Sequence, residues 1–379
     1  MSMPDGNKKI ILDTGCHIVA HAVKSARVDM VAAYPITPQT SVVEEISAMT
    51  ERGELDCRFL PVEGEHSAMA ACTAASVVGA RTFTATSSQG LLYMHEVLHM
   101  AAGGRLPVVM VNVNRCIFAP WSIWTDHQDA IAQRDTGWIQ LYCSSLQEIY
   151  NSVIQAFKIA ENTHIPVMVN FDGFILSHCS MAVEIPAQAV IDGFLPEYRP
   201  EWVLSPAKAE AYASVTASGE YPHYREQLQD DLEAAKAVII RTAEEYEAAT
   251  GMNNGGLLEL YHAEDAEIFI FSMGSMASDA KLAADELREQ GIKAGCIRLR
   301  CFRPFPREAL SAALPKNSTL IALDRNYSFG NGSGTLYNEA RAALYDRGGE
   351  IKILNKIMGI GGTDIPHTLI AEEVRKLLG

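Results

Sequence analysis

Closely spaced cysteine pairs are missing from this chain. Its eight cysteines, Cys16, Cys57, Cys72, Cys116, Cys143, Cys179, Cys296 and Cys301, are scattered, and none form a Cys-x-x-Cys arrangement. That removes the usual ligand sets of structural zinc and of iron–sulfur clusters. Most stand in apolar surroundings and read as buried, reduced thiols. Long apolar runs are missing too: nothing approaches the ~20 residues that span a bilayer. Met1 to Lys9 is polar and carries no apolar segment with a small-residue cleavage site, so a cytoplasmic location is expected. Positive charge is scarce. Lys plus Arg is 31 against 46 for Asp plus Glu, a formal charge of −15. This excludes sequence-independent nucleic-acid binding, which needs a basic face to displace counterions.

What is present is material for folded cores. The chain has 379 residues, 48% of them hydrophobic and 20% charged, which suits two globular domains rather than a disordered chain. Up to about residue 180, short apolar runs alternate with helical stretches. Asp29–Tyr34, Arg58–Val62, Thr82–Thr86, Leu106–Asn112 and Ile165–Asn170 read as strands. Ser41–Glu51, His66–Val78 and Leu91–Ala102 read as helices, the last two closed by Gly79 and by Gly103-Gly104, and Ser87–Gly90 as a turn. Strand, turn, helix, glycine stop and strand again is the pattern of βαβ units around a mainly parallel sheet. From about Cys179 to Gly256 the pattern changes. Pro186, Pro196, Pro200 and Pro206 make its first part irregular, and Tyr224–Ala249 reads as a long connecting helix with Leu228, Leu232, Ala235, Ile239 and Ala243 on its apolar stripe. A second α/β unit follows, with strands at Glu267–Phe271, Lys293–Arg300 and Thr319–Leu323 and helices at Ala277–Gln290 and Arg307–Leu314. The expected domains are 1–255 and 256–379.

Three motifs carry chemistry. His95-Glu96-Val97-Leu98-His99 matches the zinc-peptidase pattern, in which two imidazoles one helical turn apart hold the metal, with His127 or Asp126 as a third ligand. Its place between a polar turn and an apolar strand is that of an ordinary crossover helix, so no metal is expected on this chain. Gly330-Asn-Gly-Ser-Gly334 precedes a helical stretch, Leu336–Tyr345. Its amides could cradle an anion, but it lacks the Lys-Ser/Thr of a phosphate-binding loop and reads as a turning loop. Finally, Tyr34–Pro38, Glu63–Ser67, Thr86–Gly90 and Asn112–Arg115 all fall at carboxyl ends of strands in the first unit. Ligands of open α/β sheets gather at that edge, so these segments form the expected functional rim.

The same segments, with Met94-His-Glu-Val97, Arg105-Leu-Pro-Val108, Trp124-Thr-Asp-His-Gln-Asp129, Ala132–Gln140, Leu299-Arg-Cys-Phe-Arg-Pro-Phe-Pro306 and Leu323-Asp-Arg-Asn326, resemble the α subunit of the pyruvate:ferredoxin oxidoreductase family. These are thiamine-diphosphate-dependent 2-oxoacid:acceptor oxidoreductases, and the resemblance runs from Gly15 to Asp364. It implies a domain that receives the aminopyrimidine end of thiamine diphosphate, followed by a transketolase-C-terminal-like domain. It implies that Glu65 activates the cofactor through the pyrimidine N1′, a role a carboxyl group in a partly apolar pocket can fill. Glu63 competes for this role, and Glu65 is preferred because it immediately precedes the small-residue helix. It places Pro35, Ile36, Ser88 and Gln89 beside the cofactor. Thr37 and Arg115 match the residues that hold the substrate carboxylate, a task suited to a planar guanidinium fork and a neutral donor.

The implied reaction is oxidative decarboxylation of a 2-oxoacid, pyruvate first, with electrons passed to [4Fe–4S] clusters and the acyl group taken by coenzyme A. No Gly-Asp-Gly followed by Asn is present to hold Mg2+ and the diphosphate; Asp172-Gly173 and Asp192-Gly193 are partial likenesses. The resemblance assigns the diphosphate and Mg2+ site to a β subunit. It assigns the clusters to partner subunits as well, among γ and ferredoxin-like δ chains, with an external ferredoxin as acceptor. The chain alone should be inactive. Cys116–Trp124 departs from the family with Phe118 and Trp121, which with Asp126 border the expected substrate pocket. These aromatics either change the acid that fits (phenylglyoxylate, 2-oxoisovalerate, 2-oxoglutarate or oxalate) or pack on a partner.

Overall fold

The computed structural model of the chain describes residues 8–379 apart from 209 and 348–350; the first part of the polar Met1–Lys9 stretch lies outside the described residues. The chain folds around two α/β sheets. In the larger, the strands lie in the spatial order Cys301–Arg303, Ile139–Tyr142, Val167–Asp172, Val109–Asn114, Thr82–Thr86, Met30–Ala33 and Arg58–Pro61. All neighbours are parallel except Cys301–Arg303, which runs antiparallel to Ile139–Tyr142. The three central strands, Val167–Asp172, Val109–Asn114 and Thr82–Thr86, are buried along their whole length, as expected where helices cover both faces of a parallel sheet. In the smaller sheet the order is Lys352–Ile357, Thr319–Asp324, Ile268–Met273, Ala294–Leu299 and Leu258–Tyr261, with only the last pairing antiparallel.

The expected strands and helices of both units are present, one helix of them divided, with ends shifted by at most three residues. Several elements escape the sequence pattern. Ile139–Tyr142 is four residues long, and Ser180–Pro186, in the stretch expected to be irregular, pairs antiparallel with Lys8–Thr14. The expected helix Leu91–Ala102 is instead two helices, Ser88–Tyr93 and His95–Gly103. They meet at Met94, whose N–H is shared between the Gly90 and Leu91 carbonyls. The connecting helix Tyr221–Thr250 buries Leu228, Ala235, Ile239, Ala243 and Tyr246. It packs on Leu146–Thr163, itself almost wholly buried.

The two sheets are joined by more than the chain. Cys301–Arg303 crosses back to extend the larger sheet. Arg298, buried in the smaller sheet, donates to both Glu148 carboxylate oxygens at 2.6 and 2.7 Å, and Arg300 donates to Gln155 at 2.9 Å. Asp172, at the end of its strand in the larger sheet, accepts from Arg325 Nη1 at 2.9 Å, His127 Nε2 at 2.9 Å and the Ser275 amide at 2.7 Å. One apolar core runs through both sheets, and a second lies between the smaller sheet and the helices Met276–Glu289 and His367–Leu378.

Candidate functional site

The strands ending at Ala33, Pro61, Thr86 and Asn114 are neighbours and parallel. Their carboxyl ends therefore share one edge, and the segments that follow them build the site. After Pro61 the chain turns through Gly64 and enters the helix Glu65–Val77, whose small residues let it lie close to the sheet. Glu65 is the first helical residue and is only 7% exposed. A helix start favours a carboxylate, but burial outweighs this and pushes the carboxyl above its ordinary range. No side-chain donor reaches it among the described residues. Glu63, two residues earlier, is exposed and accepts from Ser67 Oγ at 2.5 Å, which holds it below the ordinary carboxylate range. The two competing glutamates thus sit in opposite environments.

The wall opposite Glu65 is Gly90. A Cβ there would lie 2.5 Å from both Glu65 Oε1 and Thr86 Oγ1, so only glycine leaves room for the carboxyl. Gly90 follows Ser88 and Gln89 in the short helix after Thr86. Ser88 is fully buried, and its hydroxyl donates to the Cys116 carbonyl, with the Gln89 side-chain amide beside it at 2.5 Å. Its contribution is therefore the path of its backbone rather than a free hydroxyl. Gln89 is half-buried beside it.

Arg115 leaves the strand Val109–Asn114. Its Nη1 donates to the Thr37 carbonyl at 2.8 Å and its Nε to the Ser122 carbonyl at 3.3 Å. Nη2 has no protein acceptor among the described residues. Pro35 and Thr37 are exposed on the rim and Ile36 half-buried. Phe118 and Trp121, 56% and 72% exposed, pack edge to face at 5.5 Å, and the Arg115 guanidinium lies 5.9 Å from the Trp121 ring. Asp126 is not on this open rim. It is buried, accepts from the Gln128 amide at 3.0 Å, and is pushed above its ordinary range by that burial.

The group that ties these pieces together is not among the expected site residues. Asp129, fully buried, accepts from the amides of Ser88 at 3.0 Å and Arg115 at 3.1 Å, and from Asn112 and Asn114 at 3.2 and 2.9 Å. Burial pushes its carboxyl up to about 6 against these hydrogen bonds. A signal existed: Asn112 and Asn114 stand two apart in an apolar strand, so both project to one face and need a buried partner.

The other motifs are accounted for otherwise. His95 Nδ1 contacts Gln133 Oε1 at 2.5 Å, while Glu96 is exposed and reaches His66 at 3.3 Å. No group of three His, Cys, Asp or Glu side chains suited to a metal occurs among the described residues. After the Gly330–Gly334 loop, the Leu336 and Tyr337 amides at the start of helix Thr335–Leu344 are already taken by Asp324, at 2.7 and 3.2 Å. Those two amides are not available to an anion.

Residues 21–244 match the family model described as pyruvate flavodoxin/ferredoxin oxidoreductase, thiamine diphosphate-binding, and residues 266–370 match that of the pyruvate:ferredoxin oxidoreductase core domain II. Ketoisovalerate oxidoreductase subunit VorA of Pyrococcus abyssi is 44% identical over 375 residues, covering 98% of this chain and 94% of its own. Pyruvate synthase subunit PorA of Methanosarcina barkeri is 42% identical over 380 residues, covering 99% and 94%. A structure of 2-oxoglutarate:ferredoxin oxidoreductase from Magnetococcus marinus, with 2-oxoglutarate, coenzyme A and succinyl-CoA bound, aligns with a TM-score of 0.74 at 20% identity, over 100% of this chain and 67% of that one. At that identity the likeness is one of fold.

Proposed function

The chain belongs to the pyruvate:ferredoxin oxidoreductase family, as the α subunit of a multi-subunit 2-oxoacid oxidoreductase, and from that membership we propose that its rim forms half of a thiamine diphosphate site for a monocarboxylic 2-oxoacid. The observation that carries this is Glu65, a buried carboxyl with no side-chain donor among the described residues, pressed against a glycine. Such a group fits a ring nitrogen: its raised pKa lets it share a proton with a weak base, which an exposed carboxylate such as Glu63 would not do. When bound, thiamine diphosphate supplies a nucleophilic carbon and an electron sink for decarboxylation. Gly90 and the Ser88-Gln89 backbone form the wall against which the pyrimidine would rest, with Pro35 and Ile36 at its edge.

Arg115 and Thr37 orient the substrate carboxylate. The Thr37 carbonyl and Ser122 carbonyl hold the guanidinium in place and leave Nη2 for the substrate. Orientation matters more than tightness here, because overbinding the carboxylate opposes its loss as CO2. Phe118 and Trp121 offer an apolar wall beside Arg115 and no second cation. A second carboxylate would be poorly met there, so pyruvate or a branched 2-oxoacid such as 2-oxoisovalerate suits the site better than 2-oxoglutarate.

The diphosphate and Mg2+ belong to a β subunit in this reading, and [4Fe–4S] clusters to γ or ferredoxin-like δ partners. Support comes from the sequence, which holds neither Gly-Asp-Gly nor a cysteine cluster. Coenzyme A takes the acyl group, an external ferredoxin takes the electrons, and the enzyme works in the cytoplasm. No described helix is long and apolar enough to cross a membrane.

The test is 2-oxoacid-dependent viologen reduction by the native complex, with a panel of pyruvate, 2-oxoisovalerate, phenylglyoxylate and 2-oxoglutarate. Loss of the Glu65 carboxyl in Glu65→Gln should lower kcat about 100-fold or more. Arg115→Ala should raise the 2-oxoacid KM about 10- to 100-fold, the worth of a charge-assisted hydrogen bond. Unchanged kinetics in both variants, or 2-oxoglutarate as the preferred acid, would overturn the assignment.

A further inference from the structure

Asp129 stands behind the site rather than in it, and both halves of the site hang from it. Oδ2 accepts from the Ser88 amide at 3.0 Å, the Arg115 amide at 3.1 Å and Asn112 Nδ2 at 3.2 Å. Oδ1 accepts from Asn114 Nδ2 at 2.9 Å and the Ala130 amide at 2.7 Å. Every one of these donors is neutral. A buried carboxylate kept for stability is ordinarily paired with a cation, and no ion pair to Asp129 occurs among the described residues. Its partners are instead the backbone and side-chain amides of three separate segments, which is the arrangement of a fixed point.

Two of those donors lie at the two ends of the site. Ser88 has a φ of +50°, a left-handed conformation unfavourable for a residue with a Cβ. That conformation starts the turn that lays Gly90 against Glu65, and the hydrogen bond to Asp129 holds it. The Arg115 amide fixes the point where the chain leaves the sheet, from which the guanidinium reaches the Thr37 carbonyl. Because both amides meet the same oxygen, the wall at Glu65 and the backbone that carries the guanidinium share one anchor.

We propose that Asp129 is a positioning residue that sets the separation between the Glu65–Gly90 wall and the Arg115 guanidinium, and so aligns substrate with cofactor. The inference rests on the assignment of Glu65 to thiamine diphosphate and of Arg115 to the substrate carboxylate. It distinguishes Asp129 from a residue that merely stabilises the fold: the latter changes the unfolding midpoint, whereas Asp129 changes cofactor and substrate constants together.

The test uses the assembled complex, stripped of thiamine diphosphate and reloaded. Two constants are read: the thiamine diphosphate activation constant and the 2-oxoacid KM. Asp129→Ala orphans the Ser88 and Arg115 amides and should raise both about tenfold or more. Asp129→Asn keeps an oxygen for the Ser88 and Arg115 amides, and Asn114, whose Oδ1 has no partner, can turn it to the new NH2, so that only the Ala130 amide loses its acceptor. Both constants should then stay within about threefold of the parent. If Asp129→Ala fails to assemble, Asp129→Glu carries the test: it retains charge and acceptors but shifts them by one methylene, and both constants should rise together. The proposal is overturned if either constant stays at the parental value in an assembled Ala or Glu variant, or if Asn is as impaired as Ala. Glu65→Gln and Arg115→Ala run beside them. If those two leave both constants unmoved, the site assignment itself falls; if they move them and the Asp129 variants do not, only the role of Asp129 falls.

Discussion

Glu63 and Glu65 are separated by one glycine and differ in every property that matters for catalysis. Glu63 projects into water, accepts from Ser67 and is held ionised. Glu65 projects beneath the helix start, is buried, and is pushed toward its protonated form. Position in the sequence favours Glu65, which adjoins the helix, but says nothing of burial; burial depends on what lies across the gap, and that is Gly90. Gly90→Ala is therefore an informative variant. Its Cβ would meet Glu65 Oε1 at 2.5 Å, so the carboxyl must move away from the pocket. We expect the complex to assemble, less stable by about 1–3 kcal/mol from local overpacking against Glu65 and Thr86, while the thiamine diphosphate activation constant rises about tenfold or more. Reloading titrations check this, and a parental constant would detach Glu65 from the cofactor.

At the scale of elements, local patterning was a good guide where an apolar run is long and bounded by glycine or proline. It failed where an element is short or where partners are remote. Ile139–Tyr142 and Ser180–Pro186 are strands because they have neighbours to pair with, not because their residues demand it. The Gly330–Gly334 loop shows the same limit. Its composition suggests a turn, but Gly334 is there because a Cβ would overlap the Asp324 carboxyl, which caps the helix Thr335–Leu344. Gly334→Ala should push Asp324 off the Leu336 and Tyr337 amides and cost about 2 kcal/mol or more. That would lower the unfolding midpoint by roughly 4 °C or more, measurable by calorimetry of the complex. An unchanged midpoint would show that the cap contributes nothing.

For the whole molecule, the decisive contacts are the buried charges between the sheets. Burial alone would raise the Asp172 carboxyl, but Arg325 and His127 beside it hold it well below the usual carboxylate range. A carboxyl lowered in the folded state contributes stability above its unfolded value of 3.8, and loses it as pH falls toward the folded value. The structure should therefore weaken on acidification below about pH 4. Asp172→Asn should flatten that acid limb, and at neutral pH should cost about 3–5 kcal/mol because Arg325 is left buried without its carboxylate. Unfolding midpoints between about pH 3 and 7 check both statements; an acid limb as steep as the parent's would place the pH dependence elsewhere.

From its order of residues alone the chain declares an α/β fold and a family. It also carries a rim of polar segments yet neither a diphosphate motif nor cluster ligands, which is the ground on which we propose that it forms half of an active site. These are properties of local patterns, and local patterns survive in a linear string. Tertiary structure alone decided which glutamate is buried, that Phe118 and Trp121 stand open beside Arg115, that Asp126 turns inward, and that Asp129 joins Ser88 to Arg115. Each depends on residues brought together from distant parts of the chain. A side chain's charge state and direction are set by what surrounds it, and those surroundings exist only after the sheets have formed.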